Sequence, residues 1–280
     1  MIVCEGVSQL RETVRALRAA GRSIGFVPTM GALHAGHVSL MHSARADGHA
    51  VIVSIFVNPT QFGPSEDFDR YPRPLEADSR ICRESGVDLL FTPSATEVYP
   101  PGDETRVRVA ALAETMCGRS RPGHFEGVCT VVAKLFGLVQ PDAAYFGQKD
   151  AQQAIILRRM TLDLCMPIRI RVCPIVREAD GLALSSRNQY LSQEERNRAL
   201  ALPRALGMGR DLVAGGERSA GRIVSAMAGV LRDGGVNDIE YLVAVNPESL
   251  QEQSEIARPV LLAAAVRVGR TRLIDNLLEE

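Results

Sequence analysis

The sequence predicts an α/β protein: a doubly wound parallel sheet over residues 1–177, followed by a smaller α+β domain over 178–280. Three observations lead there. Short runs rich in Val, Ile and Phe alternate with stretches of helical period through the first part of the chain. Two of those runs, SIGFV and AVIVSIFV, are apolar on both faces, as strands buried between helices are. After about residue 177 the order changes to helices followed by strands.

The elements follow in order. The start, MIVCEGVSQLRETVRALRAAG, reads as a short strand and an amphipathic helix, with charges too early for a signal peptide. SIGFVP, AVIVSIFV, VDLLFTP, AAYFG and IRIRVCPIV are the strands. Residues 36–47, 73–85, 126–139 and 150–164 carry the helical pattern between them. Helices are expected over about 192–213 and 217–234, then two alternating strands, IEYLVAVN and PVLLAAAVRVG. Gly181 and the polar SSRN segment sit near the domain boundary. The stretch 58–72 reads as a long loop with few apolar residues, a length often tied to function in compact domains.

Composition sets limits. A chain of 280 residues with 46% hydrophobic and 23% charged residues supports a large core. A net charge of −1 speaks against nucleic-acid binding by bulk electrostatics. Six scattered cysteines, none in a CxxC pair, are expected to be reduced packing residues. No apolar run reaches membrane-spanning length, so a cytoplasmic protein is the default.

Three polar stretches stand at strand ends or in loops. Thr29–His37 (TMGALHAGH) places His34 and His37 on either side of Gly36, between a strand and a helix. Such corners open onto the ligand crevice of an α/β sheet, and helix N-termini favour anions. Gly36 would let a ligand approach the backbone. The pair suits phosphate oxygens; core packing and metal binding are the alternatives, although zinc sites on one helix prefer His-x-x-x-His and a third ligand. Gly147-Gln148-Lys149-Asp150 follows a strand, with Lys149 as a mobile cation and Asp150 as a helix cap. A solvated lysine is the alternative there. Leu184-Ser185-Ser186-Arg187 offers hydroxyls and a guanidinium for triphosphate oxygens, or else a capping loop.

Together TMGALHAGH, FVNPTQF, SRPGHFEGV, FGQKDAQQ and DGLALSSRNQYL resemble the pantoate–β-alanine ligase (pantothenate synthetase) family, in order through most of the chain, and more weakly through GRTRLIDN. His-x-Gly-His alone is shared with other nucleotidyltransferases, including class I aminoacyl-tRNA synthetases; the five stretches together are far more specific. The resemblance implies a Rossmann-like nucleotidyltransferase domain and a two-step reaction. Pantoate attacks the α-phosphate of ATP, with Mg2+ assisting, to give pantoyl adenylate and pyrophosphate. The β-alanine amine then releases pantothenate and AMP. Activation is needed because a carboxylate has no good leaving group until AMP is attached. Adenylyl transfer needs positioning and charge stabilisation rather than an enzyme nucleophile.

The resemblance also implies roles. Met30, Gly31, Ala32, Leu33, His34, Ala35, Gly36 and His37 form the ATP corner, with His37 as proton donor and His34 beside it at the phosphates. Lys149, Ser185, Ser186 and Arg187 bind ATP phosphates and steady the transferring one. Gly147, Gln148, Asp150, Val176 and Leu184 flank the nucleotide, Val176 through its backbone. Gln61 serves pantoate and β-alanine, Gln153 contacts pantoate, Asn58 joins them, and Arg121 pairs with a carboxylate or phosphate. Catalysis falls to His37, His34, Lys149 and Arg187. A homodimer is implied as well. His42 and His49 read as surface or structural residues, His124 as a group ordering the RPGHF loop, Glu66–Asp69 as a solvated acidic run, and Arg158-Arg159 as a helix face. No magnesium ligand is assigned. The adenylate must be kept from water, and the 58–72 loop and the smaller domain are candidates to cover it. Two rival readings are a nucleotidyltransferase that keeps the nucleotide in its product and a binding module that has lost the chemistry.

Overall fold

The computed structural model describes residues 1–64 and 66–280. The chain divides into two compact units, Met1–Ala113 with Arg121–Gly147 and Ile156–Pro174, and Glu114–Ser120 with Gln148–Ile155 and Ile175–Glu280. The division is not a single cut, because 114–120 and 148–155 group with the second unit.

The first unit is built on a parallel sheet. Its strands are β1 (Ile2–Cys4), β2 (Ile24–Thr29), β3 (Ala50–Ile55), β4 (Leu89–Phe91), β5 (Ala143–Gly147) and β6 (Arg169–Cys173), hydrogen-bonded in the order β1-β4-β3-β2-β5-β6. The helices met along the chain are α1 (Val7–Ala19), α2 (Ala35–Ala46), α3 (Leu75–Glu84), α4 (Ala95–Val98), α5 (Met116–Ser120), which belongs to the second unit, and α6 (His124–Val139). Side chains alternate across the sheet. Val27, Val51, Val53, Leu90 and Tyr145 pack with Leu40, Met41 and Ala44 of α2 and Cys82 of α3. Phe26, Ile52, Leu89 and Phe91, in the other phase, are also fully buried, and Phe26 meets Phe136 of α6 edge-on at 6.3 Å. Burial on both faces is what the unbroken apolar runs predict.

The topology locates the crevice. From β2 the chain steps to β3 and β4 on one side, then returns as β5 on the other. Gly25 pairs with Ala143 and Phe26 with Ala144, so the carboxyl ends of β2 and β5 lie side by side at this reversal. Ligands of open α/β sheets bind outside such ends.

In the second unit, α7 (Ala151–Asp163), whose first part groups here, precedes α8 (Gln193–Ala199), α9 (Ala201–Ala214) and α10 (Ala220–Asp233). Strands β7 (Asp238–Val245), β8 (Val260–Val268) and β9 (Thr271–Glu279) form an antiparallel sheet in that order. Leu202, Leu206, Ile223, Met227, Leu262 and Val266 belong to its core. The helix expected over 192–213 is two helices meeting at Leu200. Pro203 explains the restart: without an N–H it fits the first turn of a helix but not an interior. The third strand, β9, has no counterpart among the strands the sequence predicts. Its Asp275 and Asn276 are buried side by side, which breaks the apolar alternation a strand should show.

The 58–72 loop is better packed than its composition implies. Pro59–Gln61 form a 3-10 turn, and Phe62 meets the rings of Phe68 at 5.3 Å and Tyr71 at 5.9 Å. Ser65 lies outside the described residues. All six cysteines are free and only Cys165 is exposed. Burial first of all pushes the Cys82 and Cys129 thiols up to about 12, so both are unreactive packing groups. No helix among the described residues is long and apolar enough to cross a membrane.

Candidate active site

The corner after β2 is built by two side chains. Thr29 donates its hydroxyl to the Ser54 carbonyl at 2.7 Å and accepts the Gly31 N–H at 3.2 Å. Gly31 and Ala32 then take φ of 83° and 51°, consecutive left-handed positions that cost a non-glycine residue about 1–2 kcal/mol. Asp78, on α3 and 1% exposed, offsets this by accepting the Ala32 and Leu33 N–H groups, each at 2.8 Å.

His34 is the N-cap of α2. Its Nδ1 accepts the Gly36 N–H at 3.1 Å, and His37 Nδ1 accepts the His34 N–H at 3.3 Å. The rings lie 4.2 Å apart. With each Nδ1 an acceptor, the neutral ring carries its proton on Nε2, so both histidines are set as Nε2 donors. A Cβ at Gly36 would stand 2.8 Å from His34 Cε1, so the glycine makes room for the ring that caps the helix.

Met30 and Gln61 meet in the same unit, with Gln61 Nε2 donating to Met30 Sδ at 3.2 Å. Asn58 is 1% exposed and internally engaged. Its Nδ2 donates to Gln61 Oε1 at 3.0 Å and to the Gly127 carbonyl at 3.1 Å, while its Oδ1 accepts the Tyr99 hydroxyl at 2.8 Å. In this structure Asn58 works on Gln61. His124 and Arg121 bracket the Gln61 carbonyl, with His124 Nδ1 at 2.8 Å and an Arg121 nitrogen at 3.4 Å. Arg121 already has a carboxylate partner in Glu66, held through Nε and a terminal nitrogen at 2.6 Å each. Glu66 is therefore not the solvated residue that its acidic neighbourhood suggests.

Two expected outcomes follow here. At Gly127 an added Cβ would fall 2.4 Å from the Thr60 carbonyl oxygen, so Gly127→Ala must push the 3-10 turn that carries Gln61. Calorimetry should show a loss of about 2 kcal/mol. Glu66 gives a pH effect. Burial raises its carboxyl, but the Arg121 hydrogen bonds and charge outweigh this and hold it below 4.5. A depressed carboxylate stabilises the fold above its unfolded value, and that contribution is lost as pH falls through the folded one. Melts of Glu66→Gln should lie below those of the parent at neutral pH and converge with them as pH falls through the depressed folded value.

The remaining residues belong to the second unit, except Gly147, which ends β5. Gln148–Asp150 form a 3-10 turn leading into α7, and Lys149 Nζ lies 3.6 Å from the Asp150 carboxylate. Gln153 is half-buried on α7, whereas its neighbour Gln152 is buried and accepts the Cys117 N–H at 3.0 Å. A short hairpin brings Val176 against the SSR stretch, for the Val176 carbonyl accepts the Leu184 N–H at 3.0 Å and Arg177 bridges Ala183. Ser185 caps the 3-10 turn Ser186–Tyr190, accepting the Arg187 N–H at 3.3 Å. Among the other histidines, His49 is buried and bonded to Ser23 Oγ at 2.7 Å, and His42 is exposed. Arg158 and Arg159 are exposed on α7, and Arg159 pairs with Asp163 one turn on.

Sequence reasoning missed Asp78 and Tyr99. Asp78 had a faint signal, since it lies one turn from Cys82 on the buried face of α3, where a lone carboxylate needs a partner. Tyr99 had none.

A parallel sheet with a topological reversal and a His-x-Gly-His corner at the end of a central strand define an α/β protein of the doubly wound class, with a ligand crevice at the strand ends. The sequence model of the pantoate-beta-alanine ligase family matches residues 2–278, and the chain belongs to that family. The pantothenate synthetase of Moorella thermoacetica is 53% identical over 100% of this chain and 99% of its own. That of Pelotomaculum thermopropionicum is 51% identical over 99% of both. The crystal structure of the Thermus thermophilus pantothenate synthetase superposes with a TM-score of 0.94 at 47% identity, covering 99% of each chain. A Francisella tularensis pantoate-beta-alanine ligase, complexed with beta-gamma ATP and beta-alanine, gives 0.83 at 34% identity, covering 99% of this chain and 97% of its own.

Proposed function

We infer that this protein condenses (R)-pantoate with β-alanine to give pantothenate, through a pantoyl adenylate, with release of AMP and pyrophosphate. The family match over residues 2–278 carries the reading, and the corner supplies chemistry that fits it. Two Nε2 donors suit oxygens of a phosphate whose charge grows as the acid attacks.

His37 and His34 act at the transferring phosphate. Lys149, Ser185, Ser186 and Arg187 follow the charge that leaves on pyrophosphate. Gln61, held through its carbonyl and side chain, offers pantoate both a donor and an acceptor, and Gln153 adds a second amide. ATP enters as its Mg2+ complex. The ion is proposed to travel with the phosphates, because Mg2+ gives up its water reluctantly and is usually bound through substrate phosphates with one or two carboxylates. The protein is proposed to act in the cytoplasm as a homodimer, which sedimentation velocity would check.

One assay tests the whole reading. With ATP, Mg2+, pantoate and β-alanine, AMP and pyrophosphate should appear in equal amounts; without β-alanine, pyrophosphate should form as a single burst. Pyrophosphate with a stable nucleotide-bearing product would favour the rival transferase, and silence would favour a binding module.

A further inference from the structure

We propose that Asn276, on β9, is a positioning residue that sets the place of Lys149; the proposal rests on the reading of Lys149 as a phosphate-binding cation. Asn276 is 4% exposed, and its side chain makes three hydrogen bonds. Its Nδ2 donates to the Gln148 carbonyl at 2.9 Å and to the Lys149 carbonyl at 3.0 Å. Its Oδ1 accepts Gln148 Nε2 at 2.9 Å. Two donors facing two carbonyls and an acceptor facing a side-chain N–H fix the amide in one orientation. The clamp seizes consecutive backbone carbonyls, including that of Lys149 itself, in the turn between β5 and α7.

The neighbouring residue does the corresponding work on the other phosphate-binding segment of the unit. The Asp275 carboxylate is fully buried and holds Arg177 through both terminal nitrogens, at 2.7 and 3.0 Å. Arg177 follows Val176 in the hairpin that leads to Ser185 and Arg187. The Asn276 N–H donates to Asp275 Oδ1 at 2.8 Å, which locks the pair together. Neighbouring strand residues point to opposite faces, and buried positions on either face normally carry apolar side chains, which would stabilise β9 as well. Two adjacent polar residues in that place, each spent on a segment bearing predicted ATP ligands, point to positioning rather than to packing.

The test separates placement from stability. Asn276→Asp keeps the shape but turns the donors towards the carbonyls into acceptors, and Asn276→Ala removes them. Each should raise the KM for ATP and lower kcat/KM for pyrophosphate release by about 100-fold, the effect of a small misplacement at a reacting group, with the KM for β-alanine unchanged. A loss of folded enzyme alone would scale kcat and leave every KM in place. Adding Asn276→Ala to Lys149→Met should cause no further loss in ATP affinity, because Asn276 acts through Lys149. If Asn276 variants fail to fold, Gln148→Met removes the donor that orients the amide and should raise the KM for ATP about 5-fold. Wild-type ATP kinetics in a folded Asn276 or Gln148 variant, or additive losses in the double variant, overturn the proposal. Unchanged pyrophosphate release by Lys149→Met overturns instead the reading of Lys149 on which it stands.

Discussion

Lys149→Met is expected to lower pyrophosphate release by about 10²–10³-fold while the fold persists, the scale seen when one preorganised donor to a developing charge is removed. Methionine matches the length and apolar stem of lysine and deletes only the ammonium. The structure gives that ammonium little folding work. Its ion pair with Asp150 is long, at 3.6 Å, and Asp150 is 47% exposed, so the pair is worth about 0–1 kcal/mol. Thermal melts should therefore hardly move, and the rate loss should fall on the chemical step. Lys149→Arg should recover part of the rate, since it restores the charge but replaces a compact ammonium with a planar fork. A rate within about 3-fold of the parent for Lys149→Met would remove Lys149 from the transition state.

How much of this was legible in the sequence depends on where each signal resides. β2 and β3 announced themselves because burial on both faces demands an unbroken apolar run, and the structure buries nearly every residue of both. The amphipathic helices α1 and α3 were read from period alone. The break at Leu200 was visible only in Pro203, whose effect depends on whether it falls in a first turn or an interior. β9 escaped because its buried polar pair is meaningful only once the segments it clamps are in place. The same logic divides the site. His34, His37 and Lys149 stand at strand–helix corners, where local sequence implies local geometry. What holds them is remote: Asp78 lies 45 and 46 positions from the two residues whose N–H groups it binds, and Asn276 binds residues 127 and 128 positions away. Gly36 shows the same dependence on what surrounds it. A glycine that admits a ligand and one that admits a neighbouring imidazole look alike until the ring is placed.

The corner's dependence on Asp78 leads to the second large effect. Asp78→Asn keeps volume and shape but leaves one oxygen where two N–H groups need acceptors. The amide nitrogen must then face the N–H of Ala32 or Leu33, a donor opposed to a donor in a site that water does not reach. The lost charge-assisted bond and the stranded donor together should cost about 3 kcal/mol. Nothing nearby compensates, since Ala32 remains left-handed and a Cβ at Gly31 would already touch Asp78 Oδ2 at 2.9 Å. The turn should relax away from its left-handed pair, carrying Met30 and the start of α2 with it. His34 then loses the geometry in which its Nδ1 caps the helix, and with it the Nε2 donor direction. Adenylation should fall by about 100-fold with a raised KM for ATP, beyond what the lost stability explains, because calorimetry at low temperature would still find the variant folded. Burial first and the Asp78 charge second hold the Cys82 thiol up at about 12, which marks how dry the site around the carboxylate is. A variant with parental ATP kinetics and parental melting would show that the turn holds its shape without the carboxylate, and that the left-handed pair at Gly31 and Ala32 is fixed by the packing of α2 on the sheet instead.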